Sequence, residues 1–120
     1  MAISYTALVL FVSLIKIKEP EGIGISHFDK IIHIGIYFIC TLVWFMVFAV
    51  KSCKPVFYKK IVKASLVAFV IGVVIEILQE LNPNARSGDI NDVLANAVGI
   101  LLAIAVIVKF KKYQTLNSTK

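Results

Sequence analysis

Three ionisable side chains stand where this sequence gives them little polar company: His33, Glu76 and Asp92, each carried by or bordering a long apolar block. A carboxylate, an imidazole and a nearby cation can supply a base or nucleophile, a proton donor, and stabilisation of developing negative charge. In that chemistry Glu76 is the candidate base and His33 the second proton-transfer group. Arg86, in the loop "NPNARSGD", is the clamp for an oxyanion or phosphate. The same side chains fit a non-catalytic role equally well. Arg86 and Lys30 would engage an anionic group, and Glu76, Asp92 and His33 would orient them. Zinc takes ligands of these types, so His33 with Glu76 and Asp92 is a third option. One histidine on a helix of its own is too little to assign a metal or any cofactor. The chain has no G-x-S-x-G, no P-loop and no H-E-x-x-H, so sequence leaves binder and enzyme both open.

The elements that must position these residues are apolar. The chain is 59% hydrophobic and 17% charged, against roughly 25% charge in ordinary soluble domains. Its solvent should therefore be lipid. Blocks 31–50, "IIHIGIYFICTLVWFMVFAV", and 61–81, "IVKASLVAFVIGVVIEILQEL", each suit a hydrocarbon core of roughly 30 Å. The block 92–108, "DVLANAVGILLAIAVIV", is slightly shorter, and "MAISYTALVLFVSLI" is the weakest. No small-x-small cleavage site follows that first block, so it reads as a retained helix rather than a signal sequence. The expectation is an all-α polytopic membrane protein, a compact bundle of four transmembrane helices at about 2–16, 31–50, 61–81 and 91–109. One domain covers 1–112, and 113–120 form a polar tail.

Charge sets the orientation. The loop after the second block, with Lys63, has five lysines and no acid, and the tail after the fourth has four more lysines and no acid. The opposite side holds Lys16, Lys18, Lys30 and Arg86 with all seven acids. By the positive-inside rule both termini are expected in the cytoplasm. The net charge of +6 then points to anionic lipid headgroups rather than nucleic acid, because no basic stretch is interleaved with aromatics. Cys40 and Cys53 have neither metal-ligand spacing nor the proximity a disulfide needs.

Four-residue steps share a helical face. Asp29, His33 and Tyr37 are so related at the start of the second helix, and Asp92 and Asn96 at the start of the fourth. Glu76 with Gln79 and Glu80 ends the third. All lie at the outward ends of their helices, so three polar faces at one depth are expected to point at each other. Capping and the helix dipole account locally for Asp29 and Asp92, but not for Glu76, which lies near a helix C-terminus. Ala95, Gly99 and Ala103 form a small-xxx-small surface for close packing; Gly72 and Gly35 are expected to assist near the cluster. No polar path continues through the membrane, since between Tyr37 and Lys51 the second helix offers only Cys40 and Thr41.

These residues resemble the VanZ-like family of membrane proteins. The likeness lies in D-K-x-x-H-x-x-x-Y (Asp29, Lys30, His33, Tyr37), in E-x-x-Q (Glu76, Gln79), and in R followed by D-x-x-x-N-x-x-G (Arg86, then Asp92, Asn96, Gly99). It spans about residues 25–105, and departs at Ala103, where the family often has a second glycine. The resemblance implies a cell-envelope location, in the bacterial inner membrane; the polar faces themselves suggest a binding role for Asp29, Lys30, Tyr37, Gln79, Arg86, Asp92 and Asn96. The family's namesake is associated with low-level resistance to teicoplanin, a glycopeptide acting on peptidoglycan precursors. The implied partners are the bilayer and anionic or lipid-linked envelope precursors; oligomeric state is not implied.

Overall fold

The computed structural model describes residues 2–14, 26–50, 56–81 and 90–117. They form four helices: α1 (Ala2–Leu14), α2 (Ser26–Val50), α3 (Phe57–Leu81) and α4 (Ile90–Asn117), with no strand among the described residues. A bilayer offers the backbone no water, so a segment that crosses alone must satisfy its own N–H and C=O groups, which a helix does. Three stretches, Asp29–Val50, Phe57–Leu81 and Ile90–Asn117, are long and apolar enough to cross. The 13 residues of α1 rise only about 20 Å at 1.5 Å each.

The helices outrun the apolar blocks. α2 starts at Ser26 rather than Ile31, and α3 at Phe57 rather than Ile61, because a polar first turn is helical without adding to hydropathy. α4 runs to Asn117 rather than 109, so 113–117 of the expected tail are helical. That segment has no glycine or proline, and its Gln and Leu are good helix formers.

α2 is the central helix, packed against α1, α3 and α4; α3 also touches α1 and α4. Tyr37, Cys40, Ala68 and Ile100 form the buried centre. Lipid tails are as apolar as leucine, so helices associate through close packing rather than through the hydrophobic effect. Small residues permit it: Ala64, Ala68 and Gly72 on α3, and Ala95, Gly99 and Ala103 on α4, are all buried. Gly99 marks the tightest approach. A Cβ there would run into the carbonyl of Ile34 and lie 3.0 Å from the backbone nitrogen of Phe38, both on α2. A Cβ on Gly72 would come within 3.1 Å of Asn96 Nδ2 and of the Tyr37 ring. Gly35, expected to help packing near His33, faces open space instead. Two residues turn a helix by about 200°, which carries Gly35 away from the His33 face.

The outer surface is apolar, with Phe11, Met46, Val62, Leu66, Leu94 and Leu101 all exposed. That is an aggregating surface in water and an ordinary one in lipid. The two ends of the bundle carry opposite charge. Gln79 Nε2 donates to the Ser13 carbonyl at 2.7 Å, so the end of α1 lies beside the end of α3. The starts of α2 and α4 share that end, which holds Asp29, Glu76, Glu80 and Asp92. Lys59, Lys60, Lys63, Lys109, Lys111 and Lys112 occupy the other. There Lys60 Nζ donates to the Ala49 carbonyl at 3.3 Å, which satisfies a carbonyl of the α2 C-terminus. Lys111 Nζ sits 4.0 Å from the centroid of Phe57, a cation–π contact between α4 and α3.

Candidate functional site

His33 is the hub of the acidic end. Its Nδ1 donates to Asn96 Oδ1 at 3.0 Å and lies 4.0 Å from Glu76 Oε1. Its Nε2 lies 3.9 Å from Asp29 Oδ1 and 3.8 Å from Asp92 Oδ2. Three helices thus meet at one imidazole: α2 through Asp29 and His33, α3 through Glu76, α4 through Asp92 and Asn96. Exposure is 9% at His33, 7% at Glu76, 2% at Asp92 and 1% at Asn96, so this is an interior site rather than a charged rim.

The sequence places each group by a simple periodicity. Asp29, His33, Tyr37 and Thr41 follow four-residue steps along the buried face of α2. Asp92 and Asn96 do the same on α4, and Gly72 and Glu76 on α3. Asp29 and Asp92 lie in the first turns of α2 and α4, where the helix dipole favours an anion. Glu76 lies in the closing turns of α3, where the dipole opposes one, and a carboxylate inside a bilayer is costly. Its place is consistent with its closeness to the imidazole.

The asparagine decides which ring nitrogen does what. Asn96 Oδ1 accepts from Nδ1–H, so a neutral His33 carries its lone pair on Nε2, facing Asp29 and Asp92. One turn further in, the buried Tyr37 hydroxyl has no hydrogen-bond partner among the described residues, and neither has Asn96 Nδ2. Buried polar atoms are nearly always paired. Two such atoms near the imidazole suit a polar guest.

Asp29, His33, Glu76, Asp92 and Asn96 therefore come together, with Tyr37 directly beneath them. Lys30 is half-buried at the same end. Gln79 is buried, but its amide anchors α1 through Ser13. Arg86 falls outside the described residues. The donor set that could hold a metal ion is Asp29, His33 and Asp92, whose ligand atoms lie within 4.8 Å of one another. It differs from the sequence-based option, because Asp29 replaces Glu76 at Nε2 and Glu76 lies toward the other nitrogen. The sequence marks Thr41 only as a polar group deeper in α2, without a place in the site; it is fully buried on the same face, and its hydroxyl donates to the Tyr37 carbonyl at 2.8 Å. Its four-residue step from Tyr37 was the available signal.

A family model described as VanZ/LLP1 matches residues 2–111, a span that takes in α1, α2, α3, most of α4 and every residue of the site. No curated protein and no solved structure matches the chain.

Proposed function

Because the chain belongs to the VanZ/LLP1 family, we propose that it is an integral protein of the bacterial cell envelope whose buried polar site binds an anionic headgroup, of an envelope lipid or a lipid-linked precursor. The supporting observation is the convergence of His33, Glu76, Asp92 and Asn96 from three helices at one end of an otherwise apolar bundle. In this reading the lysine-rich end is cytoplasmic, so the site opens toward the extracytoplasmic leaflet and both termini are inside. Arg86 and Lys30 engage the anion, while Glu76, Asp92 and His33 hold the cations and the guest in register. Susceptibility to teicoplanin is the phenotype that the family resemblance suggests scoring. A reporter active only outside the cytoplasm, fused after Lys120, should be silent; activity there would reverse the orientation.

A second reading is favoured by one distance. Glu76 Oε1 and His33 Nδ1 are 4.0 Å apart in a buried setting, which sets a carboxylate and an imidazole beside one another as a base and an acid would be. On that reading the protein is an enzyme acting on a lipid-linked substrate, with Arg86 stabilising developing charge.

One experiment separates the two. Purified protein is titrated with phosphatidylglycerol, a polyprenyl phosphate or phosphatidylcholine, and bound lipid is read by native mass spectrometry. Binding predicts preference for the anionic lipids, a loss of about tenfold or more (roughly 1.4 kcal/mol, one lost charge-assisted hydrogen bond) in Arg86→Ala, and partial tolerance of Glu76→Gln. Equal binding by wild type and Arg86→Ala would remove the headgroup reading. Catalysis predicts that cells carrying Glu76→Gln accumulate a lipid-linked species which wild-type cells turn over. Unchanged lipid profiles with folded Glu76→Gln and His33→Gln proteins would remove the enzyme.

A further inference from the structure

We propose that Asp29, His33 and Asp92 form a site for a divalent transition-metal cation of the zinc class. The proposal shares His33 and Asp92 with the headgroup reading but does not rest on it, since it concerns the ion alone.

The donors are of the right kinds and come from two helices. Zinc binds imidazole nitrogen and carboxylate oxygen at roughly 2.0–2.2 Å, and three protein ligands with one open position is its usual non-structural arrangement. Asp29 and His33 stand one turn apart on α2, and Asp92 opposes them from the first turn of α4. All three are buried, and their ligand atoms lie within 4.8 Å of one another.

The spacings around Nε2 suit an ion better than a proton shared between imidazole and carboxylate. Nε2 stands 3.9 Å from Asp29 Oδ1 and 3.8 Å from Asp92 Oδ2. A proton shared between imidazole and carboxylate draws the heavy atoms to about 2.7–2.9 Å. Donors around a tetrahedral ion with bonds of about 2.1 Å are separated by roughly 3.4 Å. The observed spacings are a proton bridge too long and within a small side-chain adjustment of a metal edge.

The hydrogen bond beyond the donors supports the same conclusion. A metal-bound histidine ordinarily donates its other ring N–H to a carbonyl or carboxylate, which fixes the tautomer and aims the lone pair. Here Asn96 Oδ1 takes the Nδ1 proton at 3.0 Å, with Asn96 itself 1% exposed and held against Gly72. Nε2 is thereby left as the ligand atom, on the side where both aspartates lie. Asn96 is a positioning residue in this scheme. Glu76, toward Nδ1, is outside the ligand set. Soft thiolate is absent from the donors, and imidazole with carboxylate suits zinc, iron or manganese better than a copper(I) or an alkali ion.

The test uses full-length protein in detergent, freed of any affinity tag, stripped with chelator and titrated with Zn²⁺ alone in the absence of phospholipid. Elemental analysis should give one zinc per chain, and Co²⁺ in its place should give visible absorption bands. His33→Gln and Asp92→Asn should each weaken zinc about a hundredfold or more, while Asn96→Ala should weaken it about 10–100-fold with the Co²⁺ bands retained. Cys40→Ser should bind as wild type does. Every variant is checked for helix content and a single size-exclusion peak, and Asp29→Asn replaces Asp92→Asn if the latter does not fold. Folded wild type that takes up neither Zn²⁺ nor Mn²⁺ would overturn the proposal, as would equal zinc affinity in wild type and folded His33→Gln. Neither outcome touches the lipid titration, which is run separately on stripped protein.

Discussion

Gly99→Ala should destabilise the bundle by about 3 kcal/mol, at the upper end of the cost of overpacking a core. The added Cβ meets backbone, the Ile34 carbonyl and the Phe38 nitrogen of α2, and backbone cannot rotate aside as a long side chain can. α4 must move away from α2. Since α4 carries Asp92 and Asn96, the substitution should also open the polar site. Reversible unfolding in mixed micelles measures the first effect, and thiol accessibility of Cys40, buried against the same core, reports the second. Gly35→Ala is the matched control: its Cβ side is open, and alanine is worth up to about 1 kcal/mol over glycine in a helix. Equal losses from the two substitutions would mean that α2 and α4 do not meet at Gly99.

His33→Leu should be nearly as damaging, because it takes away the hub of the buried polar network. Asp29, Glu76 and Asp92 all lie within 4.0 Å of the imidazole. Its loss leaves Asn96 Oδ1 buried without the ring N–H that it accepts from, which costs about 1–3 kcal/mol. His33→Gln should cost less, because its amide can still donate to Asn96. The discriminating form is a double-mutant cycle with Asp92→Asn, measured by unfolding in chelator so that no metal intervenes. Residues in one such network couple by about 0.5–3 kcal/mol, so Asp92→Asn should recover part of the loss in the His33→Leu background. Strict additivity would mean that His33 and Asp92 do not share an environment.

Much of this arrangement is legible in the sequence because membranes leave few choices. Apolar block length gives the helices, and the lysines and acids separate the two ends. Four-residue steps group Asp29 with His33 and Tyr37, and Asp92 with Asn96. The small-residue surface through Ala95, Gly99 and Ala103 is legible for the same reason, and all three are buried. What the steps do not give is rotational detail. They say that Glu76 and Gln79 share a broad face, but three residues differ by about 60° of rotation from a common line. That is enough to aim Glu76 at His33 and Gln79 at Ser13 of α1. They also do not say that Asp29 joins Asp92 at Nε2 while Glu76 takes the Nδ1 side, because that depends on the imidazole torsion and on Asn96. Helix ends were read short for a similar reason: hydropathy marks where lipid stops, and backbone hydrogen bonding continues past it from Ser26 and through Asn117.

The convergence of α2 and α4 at the imidazole is the claim on which binder, enzyme and metal site all depend. It is tested most directly by bridging chemistry in a Cys40→Ser, Cys53→Ser protein in bilayers. His33→Cys with Asn96→Cys should be joined within one chain by a short bifunctional methanethiosulfonate, because the parent side chains are 3.0 Å apart. Ile31→Cys with Asn96→Cys should not, since Ile31 is 63% exposed on the opposite side of α2. Bridging of the 31/96 pair with none at 33/96 would contradict the convergence and remove the site with it.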